Sequence, residues 1–174
     1  METPTRIFLV GPMGAGKSSI GRELARRLGY PFHDTDDYLR ERTGVDIATI
    51  FDFEGEAGFR KREHDALAEL SRQEPIVLAT GGGTVILDEN RRLLAERGFV
   101  VYLRTSLEYQ LARTRQSRHD RPLLETEDPE RKLRELAEQR DPLYRELADM
   151  TVDTDGQSVK QVMRKLALEI HGAD

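Results

Sequence analysis

The most informative segment of this chain for its fold is Gly11-Pro12-Met13-Gly14-Ala15-Gly16-Lys17-Ser18. It matches G-x-x-x-x-G-K-[S/T], a pattern whose glycines let the backbone turn sharply and offer its N–H groups to phosphate oxygens. Lys17 supplies a cation for the β- and γ-phosphates, and Ser18 supplies a hydroxyl for magnesium. A glycine-rich turn without a ligand would not explain Lys17 and Ser18 together. The pattern predicts a site for a nucleoside triphosphate with Mg²⁺, and leaves the acceptor open.

The context of this loop is the one that a phosphate-binding loop needs. An apolar run at residues 7–10 precedes it, and an amphipathic segment begins at Lys17. Ile20, Leu24 and Leu28 of that segment fall on one helical stripe, and Gly29 follows as a stop signal. Strand, loop and helix are therefore predicted in the required order.

Short apolar runs recur along the chain and predict strands that are buried on both faces, as in a parallel sheet covered by helices. The runs are residues 7–10, 76–79 and 99–103, with weaker ones at 30–33 and 150–152. Helical patterns lie between them. This alternation predicts a three-layer α/β fold with a five-stranded parallel sheet flanked by helices.

Capping residues mark the starts of several helices. Asp88 is predicted to cap a helix over residues 89–97, and Ser106, Asp128 and Ser158 are predicted to open three further helices. We therefore expect these polar side chains to accept hydrogen bonds from the first turns.

Three segments are not readily assigned to the strands or helices of the predicted three-layer fold. Residues 56–72 are highly charged and predict an exposed helix, while residues 43–58 carry several glycines around a short helix that starts near Asp46. Residues 116–128 have scattered charges and no apolar period. We expect the second and third segments to move as flaps.

Composition limits the class of protein. The chain has 174 residues, a net charge of −5 from 27 basic and 32 acidic residues, and no cysteine. These values predict one domain over residues 1–174, with no nucleic-acid partner and no thiolate metal site. With no apolar stretch long enough to span a membrane and no signal peptide, we expect a cytoplasmic protein without a membrane partner.

Polar clusters follow two of the predicted strands. Asp34-Thr35-Asp36 and Gly81-Gly82-Gly83 stand where ligands gather in open α/β sheets. One acid suits a metal and the other an acceptor hydroxyl, although a helix cap would explain either acid alone. The glycines suit close approach of a ligand to the backbone, or a loose turn.

Three arginines stand beside apolar or proline residues. They are Arg60, Arg121 and Arg140. The planar guanidinium group suits carboxylates and phosphates, but most arginines in a chain with 34% charged residues are solvated. Composition alone therefore does not assign them.

The ordered set of these pieces resembles the shikimate kinase family and spans nearly the entire domain. The pieces are Gly11–Ser18, Asp34–Asp36, Phe59-Arg60-Lys61-Arg62-Glu63, Gly81–Gly83, Arg121-Pro122-Leu123-Leu124 and Arg140-Asp141-Pro142-Leu143-Tyr144. The family phosphorylates a hydroxyl of shikimate on the path to chorismate. The resemblance implies ATP and shikimate as substrates, Mg²⁺ as cofactor and a monomer.

The resemblance also implies roles on the acceptor side. Asp36 would bind the acceptor hydroxyls and act as the catalytic carboxylate. Arg60 and Arg140 would hold the acceptor carboxylate, with backbone N–H groups around Gly81, Gly82 and Gly83. The acceptor-binding segment would cover about residues 43–73.

On the nucleotide side, the resemblance implies ATP contacts along the phosphate loop. These residues are Gly14, Ala15, Gly16, Lys17, Ser18 and Ser19. Lys17 would take part in catalysis, and Asp34 would support magnesium beside Ser18. Arg121 would bind ATP and act in catalysis from a lid over about residues 116–128, while Arg113 would lie against adenine. The family often has a proline in the adenine loop, where this chain reads Asp155-Gly156-Gln157-Ser158-Val159.

Two kinds of alternative stay open from the sequence. Gluconate kinase has the same kind of fold and a carboxylated acceptor, and nucleoside monophosphate kinases are a weaker rival. A nucleotide-driven switch is a rival of another class. A switch calls for a strand-end acid after residues 76–79, where this chain has Thr80 and glycines.

Overall fold

A computed structural model describes residues 2–114 and 128–170 of the chain. Arg121 and the predicted lid, apart from Asp128, lie outside the described residues. In the described part, a five-stranded parallel sheet has the strand order β2-β3-β1-β4-β5. The strands are β1 Arg6–Val10, β2 Phe32–Asp34, β3 Ile76–Ala79, β4 Phe99–Arg104 and β5 Met150–Asp153. The predicted sheet and its apolar runs are confirmed.

Helices connect the strands and cover both faces of the sheet. They are α1 Lys17–Leu28, α2 Thr35–Thr43, α3 Ile47–Leu70, α4 Asp88–Arg97, α5 Leu107–Thr114, α6 Pro129–Leu147 and α7 Val159–Ile170, with a 3₁₀ turn at Thr84–Ile86. No helix in residues 2–114 and 128–170 has the length and apolar character to cross a membrane.

The central strand β1 contributes to two separate apolar cores. Ile7 and Leu9 pack with α1 and α7 on one face of the sheet, and Phe8 and Val10 pack with α3, α4 and α6 on the other. All four side chains are fully buried. This burial on both faces is why the strand is apolar throughout and does not alternate.

Most of the predicted helix ends are confirmed, and one is wrong. Gly29 ends α1 in the left-handed conformation (φ 70°). Ser106, Asp128 and Ser158 accept hydrogen bonds from backbone N–H groups of the first turns of α5, α6 and α7. Asp88, by contrast, is the first residue of α4 and makes no cap, and it pairs with arginines one turn later. An acid in the first turn is favoured by the helix dipole without a capping hydrogen bond.

The helix predicted over residues 56–72 is confirmed, since α3 continues to Leu70, but its predicted exposure is wrong. Helix α3 begins earlier, with Asp46 accepting from the Thr49 N–H over 2.8 Å, and its helical geometry breaks at Gly55 (φ 71°, ψ 180°). One face is buried, and it includes the charged residues Arg60 and Glu63. Because this buried face includes charged residues, it could not be recognised from the sequence as an apolar stripe.

Helix α1 lies very close to the edge strand β2. A Cβ atom at Gly21 would stand 2.5 Å from Phe32 Cε2 and 3.1 Å from Leu9 Cδ1. Glycine therefore fixes the distance between the helix that follows the phosphate loop and the strand that leads to Asp34.

Candidate active site

The carboxyl ends of the strands border a cavity of about 360 Å³. Most of the predicted site residues line it: Gly14, Gly16, Lys17, Ser18, Ser19, Asp34, Asp36, Gly81, Gly82 and Arg113. The Ala15 side chain points instead into the hydrophobic core. The structure thus brings the phosphate loop and part of the predicted acceptor cluster to one cavity, whereas Gly83, Arg60 and Arg140 do not line it.

The phosphate loop is held open by its glycines and by Lys17. Gly14 and Gly16 have φ values of 82° and 86°, a region that favours glycine. The Lys17 ammonium donates to the carbonyls of Gly11 at 2.6 Å and Pro12 at 2.8 Å. No side chain caps α1 at Gly16. The start of α1, which no side chain caps, and the positive end of its dipole suit an anion.

Asp34 joins the phosphate loop to the start of α2. Its Oδ2 accepts a hydrogen bond from Ser18 Oγ at 2.6 Å. Its Oδ1 accepts from the backbone N–H groups of Asp36 at 2.9 Å and Asp37 at 3.2 Å. Asp34 is therefore a helix cap and, through its other oxygen, a partner of the loop.

The Ser18–Asp34 pair fits magnesium. Mg²⁺ prefers oxygen ligands, and it is usually held by one or two protein groups together with phosphates and water. Within residues 2–114 and 128–170 no cluster of three or more His, Cys, Asp or Glu side chains is present. Magnesium needs only one or two protein groups beside the phosphates, and the Ser18 hydroxyl and one carboxylate oxygen of Asp34 are such groups.

Asp36 is not a helix cap. Its Oδ1 atom is inaccessible to solvent and has no hydrogen-bond partner among the described residues. Burial, followed by the charges of Asp34 and Glu63, raises the pKa of Asp36 to about 7, against the opposing charges of Arg40 and Lys17. A carboxyl group with such a pKa is able to take or release a proton near neutral pH.

The three glycines form an ordered turn and not a loose one. The Gly81 N–H donates to Thr35 Oγ1 at 3.1 Å, and the Gly81 and Gly83 carbonyls accept from the 3₁₀ turn. The Gly82 carbonyl accepts from the Tyr144 hydroxyl. Within the part of the chain that the structure describes, the N–H groups of Gly82 and Gly83 donate to no protein group. These two N–H groups remain for a ligand.

The missing side chains of this turn leave room for charged groups. A Cβ atom at Gly81 would stand 2.9 Å from Glu63 Oε2 and 3.3 Å from Asp36 Oδ1. One at Gly83 would stand 2.6 Å from the guanidinium carbon of Arg60. Each of these charged groups thus lies against the backbone of the turn.

Both predicted acceptor arginines are buried here, with exposed fractions of 8% for Arg60 and 4% for Arg140. Arg60 Nη1 donates to Glu63 Oε1 at 2.9 Å, and Arg140 Nη1 would lie 3.4 Å from a Cβ atom at Gly82. Burial lowers the pKa of Arg140, and the nearby charge of Arg60 adds to this effect. Two buried cations near each other favour an anionic ligand.

Five buried side-chain atoms in the described ranges have no hydrogen-bond partner. They are Asp36 Oδ1, Arg60 Nε, Glu63 Oε2, Thr84 Oγ1 and Arg140 Nε. All of them belong to the glycine turn or to the groups around it. Since buried polar groups are normally paired, this combination of guanidinium donors and carboxylate or hydroxyl oxygens indicates a ligand with both an anionic group and hydroxyls.

Arg113 and the adenine loop lie on the other side of the phosphate loop. Arg113 Nη1 donates to the Gly14 carbonyl at 3.0 Å. Asp155, at the start of the loop that lacks the proline, accepts from Thr105 Oγ1 at 2.7 Å and from the Ser106 N–H at 2.9 Å. The loop after β5 is thereby tied to the start of α5, the helix that carries Arg113.

Sequence reasoning missed Glu63. It is fully buried, it holds Arg60, and its charge contributes to the raised pKa of Asp36. The only signal was its position three residues after Arg60, one helical turn away, in a charged segment that looked solvated.

The chain is similar to known proteins of one family. The sequence model described as shikimate kinase matches residues 13–171. The shikimate kinase of Vibrio cholerae is 56% identical over 173 residues, which cover 98% of this chain and 99% of that protein. A solved structure of shikimate kinase from Acinetobacter baumannii in complex with shikimate has a TM-score of 0.92 and 48% identity, covering 95% of this chain and 92% of that one.

A gluconokinase structure from Sinorhizobium meliloti is a more distant match, with a TM-score of 0.58 and 18% identity over 98% of this chain and 94% of that one. Similarity at this level is evidence for the fold alone. The high identity over nearly the full length, together with the matched sequence model, leads to one assignment. The chain belongs to the shikimate kinase family.

Proposed function

We propose that this chain transfers the γ-phosphoryl group of ATP to the 3-hydroxyl of shikimate, giving shikimate 3-phosphate and ADP on the route to chorismate and the aromatic amino acids. One observation carries the proposal. The partnerless buried atoms around Gly81–Gly83 combine guanidinium donors with oxygens, and they lie beside a phosphate-binding loop. A small acid with several hydroxyls fits that combination.

On the acceptor side, Arg60 and Arg140 hold the carboxylate with help from the N–H groups of Gly82 and Gly83. Planar guanidinium groups bind a carboxylate in a fixed orientation. Asp36 then holds the hydroxyl that reacts. Fixing both ends of a small ring matters because a small error in position loses much of the rate.

Asp36 orients the acceptor oxygen for in-line attack and takes its proton late in the transfer. The transition state of phosphoryl transfer is loose, so positioning and charge neutralisation dominate its catalysis. Asp36, whose pKa is about 7, is matched to this task near neutral pH. The carboxylate must be ionised to accept the proton.

On the nucleotide side, the loop from Gly14 to Ser19 binds the phosphates, and Lys17 neutralises charge on the transferred group. Ser18 and Asp34 hold Mg²⁺, which supplies further charge neutralisation at the phosphates. Arg113 contacts adenine. Arg121, which lies outside the described residues, completes the set of cations from the lid over about residues 116–128.

The proposal also covers the organisation of the chain. Residues 1–174 form one domain, about residues 43–73 bind the acceptor, and the enzyme is a cytoplasmic monomer. Light scattering after size-exclusion chromatography tests the monomer, and cell fractionation tests the location.

The decisive experiment measures ADP release from ATP and Mg²⁺ with shikimate, with gluconate and without an acceptor. We expect release that depends on shikimate, and a phosphorylated shikimate as product. Release with gluconate alone would identify the enzyme as a gluconate kinase. Release that is independent of any acceptor would favour the nucleotide-driven switch.

A further inference from the structure

Tyr144 in α6 takes no part in the chemistry proposed above, yet it contacts the centre of the site. Its side chain is 2% exposed, and its hydroxyl donates to the carbonyl of Gly82. Its ring stacks on that of Tyr102 in β4, with centroids 4.9 Å apart and planes at 27°. The phenol is therefore fixed from both its ring and its hydroxyl.

Gly82 is the point at which the two halves of the site meet. A Cβ atom there would stand 3.4 Å from Arg140 Nη1, 3.5 Å from the Met13 backbone nitrogen and 3.8 Å from the Gly11 carbonyl oxygen. The acceptor arginine and the phosphate loop thus lie on either side of this residue. A shift of its backbone would move the acceptor relative to the nucleotide.

The carbonyl that Tyr144 holds shares a peptide unit with a group that is free to bind a ligand. The C=O of Gly82 and the N–H of Gly83 belong to one planar peptide, in which they point in opposite directions. The N–H of Gly83 donates to no protein group within the described ranges. Fixing the carbonyl on one side therefore fixes the direction of the N–H on the other side.

The phenol is suited to this task because it stays a donor. Burial raises the pKa of Tyr144 to about 12, although the neighbouring guanidinium group of Arg140 opposes the rise. The hydroxyl is thus protonated at neutral pH. Between two glycines the backbone has the widest conformational freedom, so an external anchor has most to restrain here.

We propose that Tyr144 is a positioning residue, which orients the Gly82–Gly83 peptide so that the Gly83 N–H faces the carboxylate of the acceptor. This inference rests on the proposed function and deepens it. Tyr144 does not touch the substrate. Its hydroxyl contacts the Gly82 carbonyl and also the guanidinium group of Arg140, one helical turn away, so it holds both carboxylate-binding groups in a fixed relative position.

Tyr144→Phe tests the proposal, and Tyr102→Phe is the matched control. The first change removes the donor to Gly82 together with the hydrogen bond between Tyr144 and Arg140. The second removes the hydroxyl of the stacked partner ring, which donates to Asp141 Oδ1 at 2.7 Å. We expect Tyr144→Phe to raise the KM for shikimate roughly tenfold and to leave the KM for ATP near the wild-type value. A tenfold change is the size expected when one hydrogen bond is lost and its partner stays buried. Tyr102→Phe should change neither constant.

The outcomes separate this inference from the proposed function. A wild-type enzyme without shikimate-dependent ADP release would overturn the function. An active wild type, with a Tyr144→Phe variant whose KM for shikimate is unchanged, would overturn the positioning role alone. Equal effects of both variants on the KM for shikimate would also overturn it, since they would indicate a general loss of packing. A partly unfolded sample does not disturb the test, because KM is independent of the active fraction.

If the Phe variant does not fold, 3-fluorotyrosine at position 144 retains both ring and hydroxyl. Saturating shikimate, with binding verified by calorimetry, should then shift the fluorine resonance in the absence of nucleotide. An unshifted resonance would contradict the coupling between Tyr144 and the acceptor.

Discussion

The backbone N–H of Asp36 donates to the Oδ1 atom of Asp34 over 2.9 Å, so one acid caps the helix on which the other stands. This relationship gives the two carboxylates different tasks. Asp34 is occupied by the helix start and by Ser18, and the Asp36 side chain is left to the cavity. Substitutions at Asp36, Asp34 and Arg60 should therefore have different effects.

Replacing Asp36 by Asn should remove the proton acceptor and retain the shape of the side chain. We expect turnover to fall at least ~10²-fold, the scale of a positioned acid–base group, with ATP affinity nearly intact. Steady-state kinetics and nucleotide titration measure the two quantities. Glu41→Gln, an exposed carboxylate on the same helix, is the control. Turnover within a few-fold of wild type would remove Asp36 from catalysis.

The same substitution should stabilise the ligand-free protein at high pH. The pKa of Asp36 is raised from 3.8 to about 7 on folding, so between these values the folded chain retains a proton that the unfolded chain has lost. This carboxyl group therefore lowers stability as pH rises from about 4 to about 7, and the loss is complete above pH 7. Asn has no such charge.

Urea unfolding at pH 5 and pH 8 measures the difference. We expect the free energy of unfolding of Asp36→Asn, relative to that of wild type, to be higher at pH 8 than at pH 5 by an amount of the order of 2 kcal/mol. Glu41→Gln should show no comparable gain. A constant difference between Asp36→Asn and wild type at both pH values would mean that the Asp36 carboxyl group titrates as it does in water.

Arg60→Ala should weaken the binding of the acceptor far more than the binding of the nucleotide. Its guanidinium group is buried against the glycine turn, and loss of a charge-assisted hydrogen bond to a carboxylate raises KM by roughly 10- to 100-fold. The matched control is Arg62→Ala, because Arg62 is bound to Glu54 at 2.6 and 2.7 Å on an exposed surface. An unchanged KM for shikimate in Arg60→Ala would exclude this arginine from the acceptor site.

Asp34→Ala should combine a structural and a functional loss. Removal of the cap of α2 should cost about 1 kcal/mol of stability, and removal of the partner of Ser18 should raise the Mg²⁺ concentration needed for half-maximal activity. Asp46→Ala removes a comparable cap, from α3, and should lower stability without changing the Mg²⁺ requirement. The same Mg²⁺ dependence in both variants would contradict the role of Asp34 at the metal.

The three central strands β1, β3 and β4 were predictable because they are buried on both faces, unlike the edge strands β2 and β5. Residues 7–10, 76–79 and 99–103 are unbroken apolar runs, and the observed strands differ from them by at most one residue at either end. The phosphate loop was equally predictable, since its glycines, lysine and serine are all required by one ligand. These features depend on local composition alone.

The acceptor pocket was less predictable because it violates the usual relation between charge and exposure. Arg60 and Glu63 lie on the inward face of α3, so a segment that reads as solvated is in fact half buried. The sequence also did not show whether Asp34 or Asp36 caps α2, since both acids stand at the start of this helix. The contacts that decide such questions join distant segments, such as Tyr144 and Gly82.

The absence of a side chain at Gly21 has a consequence for engineering. A methyl group there would press on the Phe32 ring and on Leu9, so either these side chains or the start of α1 would have to move. Gly21 stands only three residues after Ser18, so a shift of the start of α1 would move Lys17 and Ser18 with it and draw the Ser18 hydroxyl from the Asp34 carboxylate at the end of β2. A residue without a side chain thus governs the distance between the Ser18 hydroxyl and the Asp34 carboxylate.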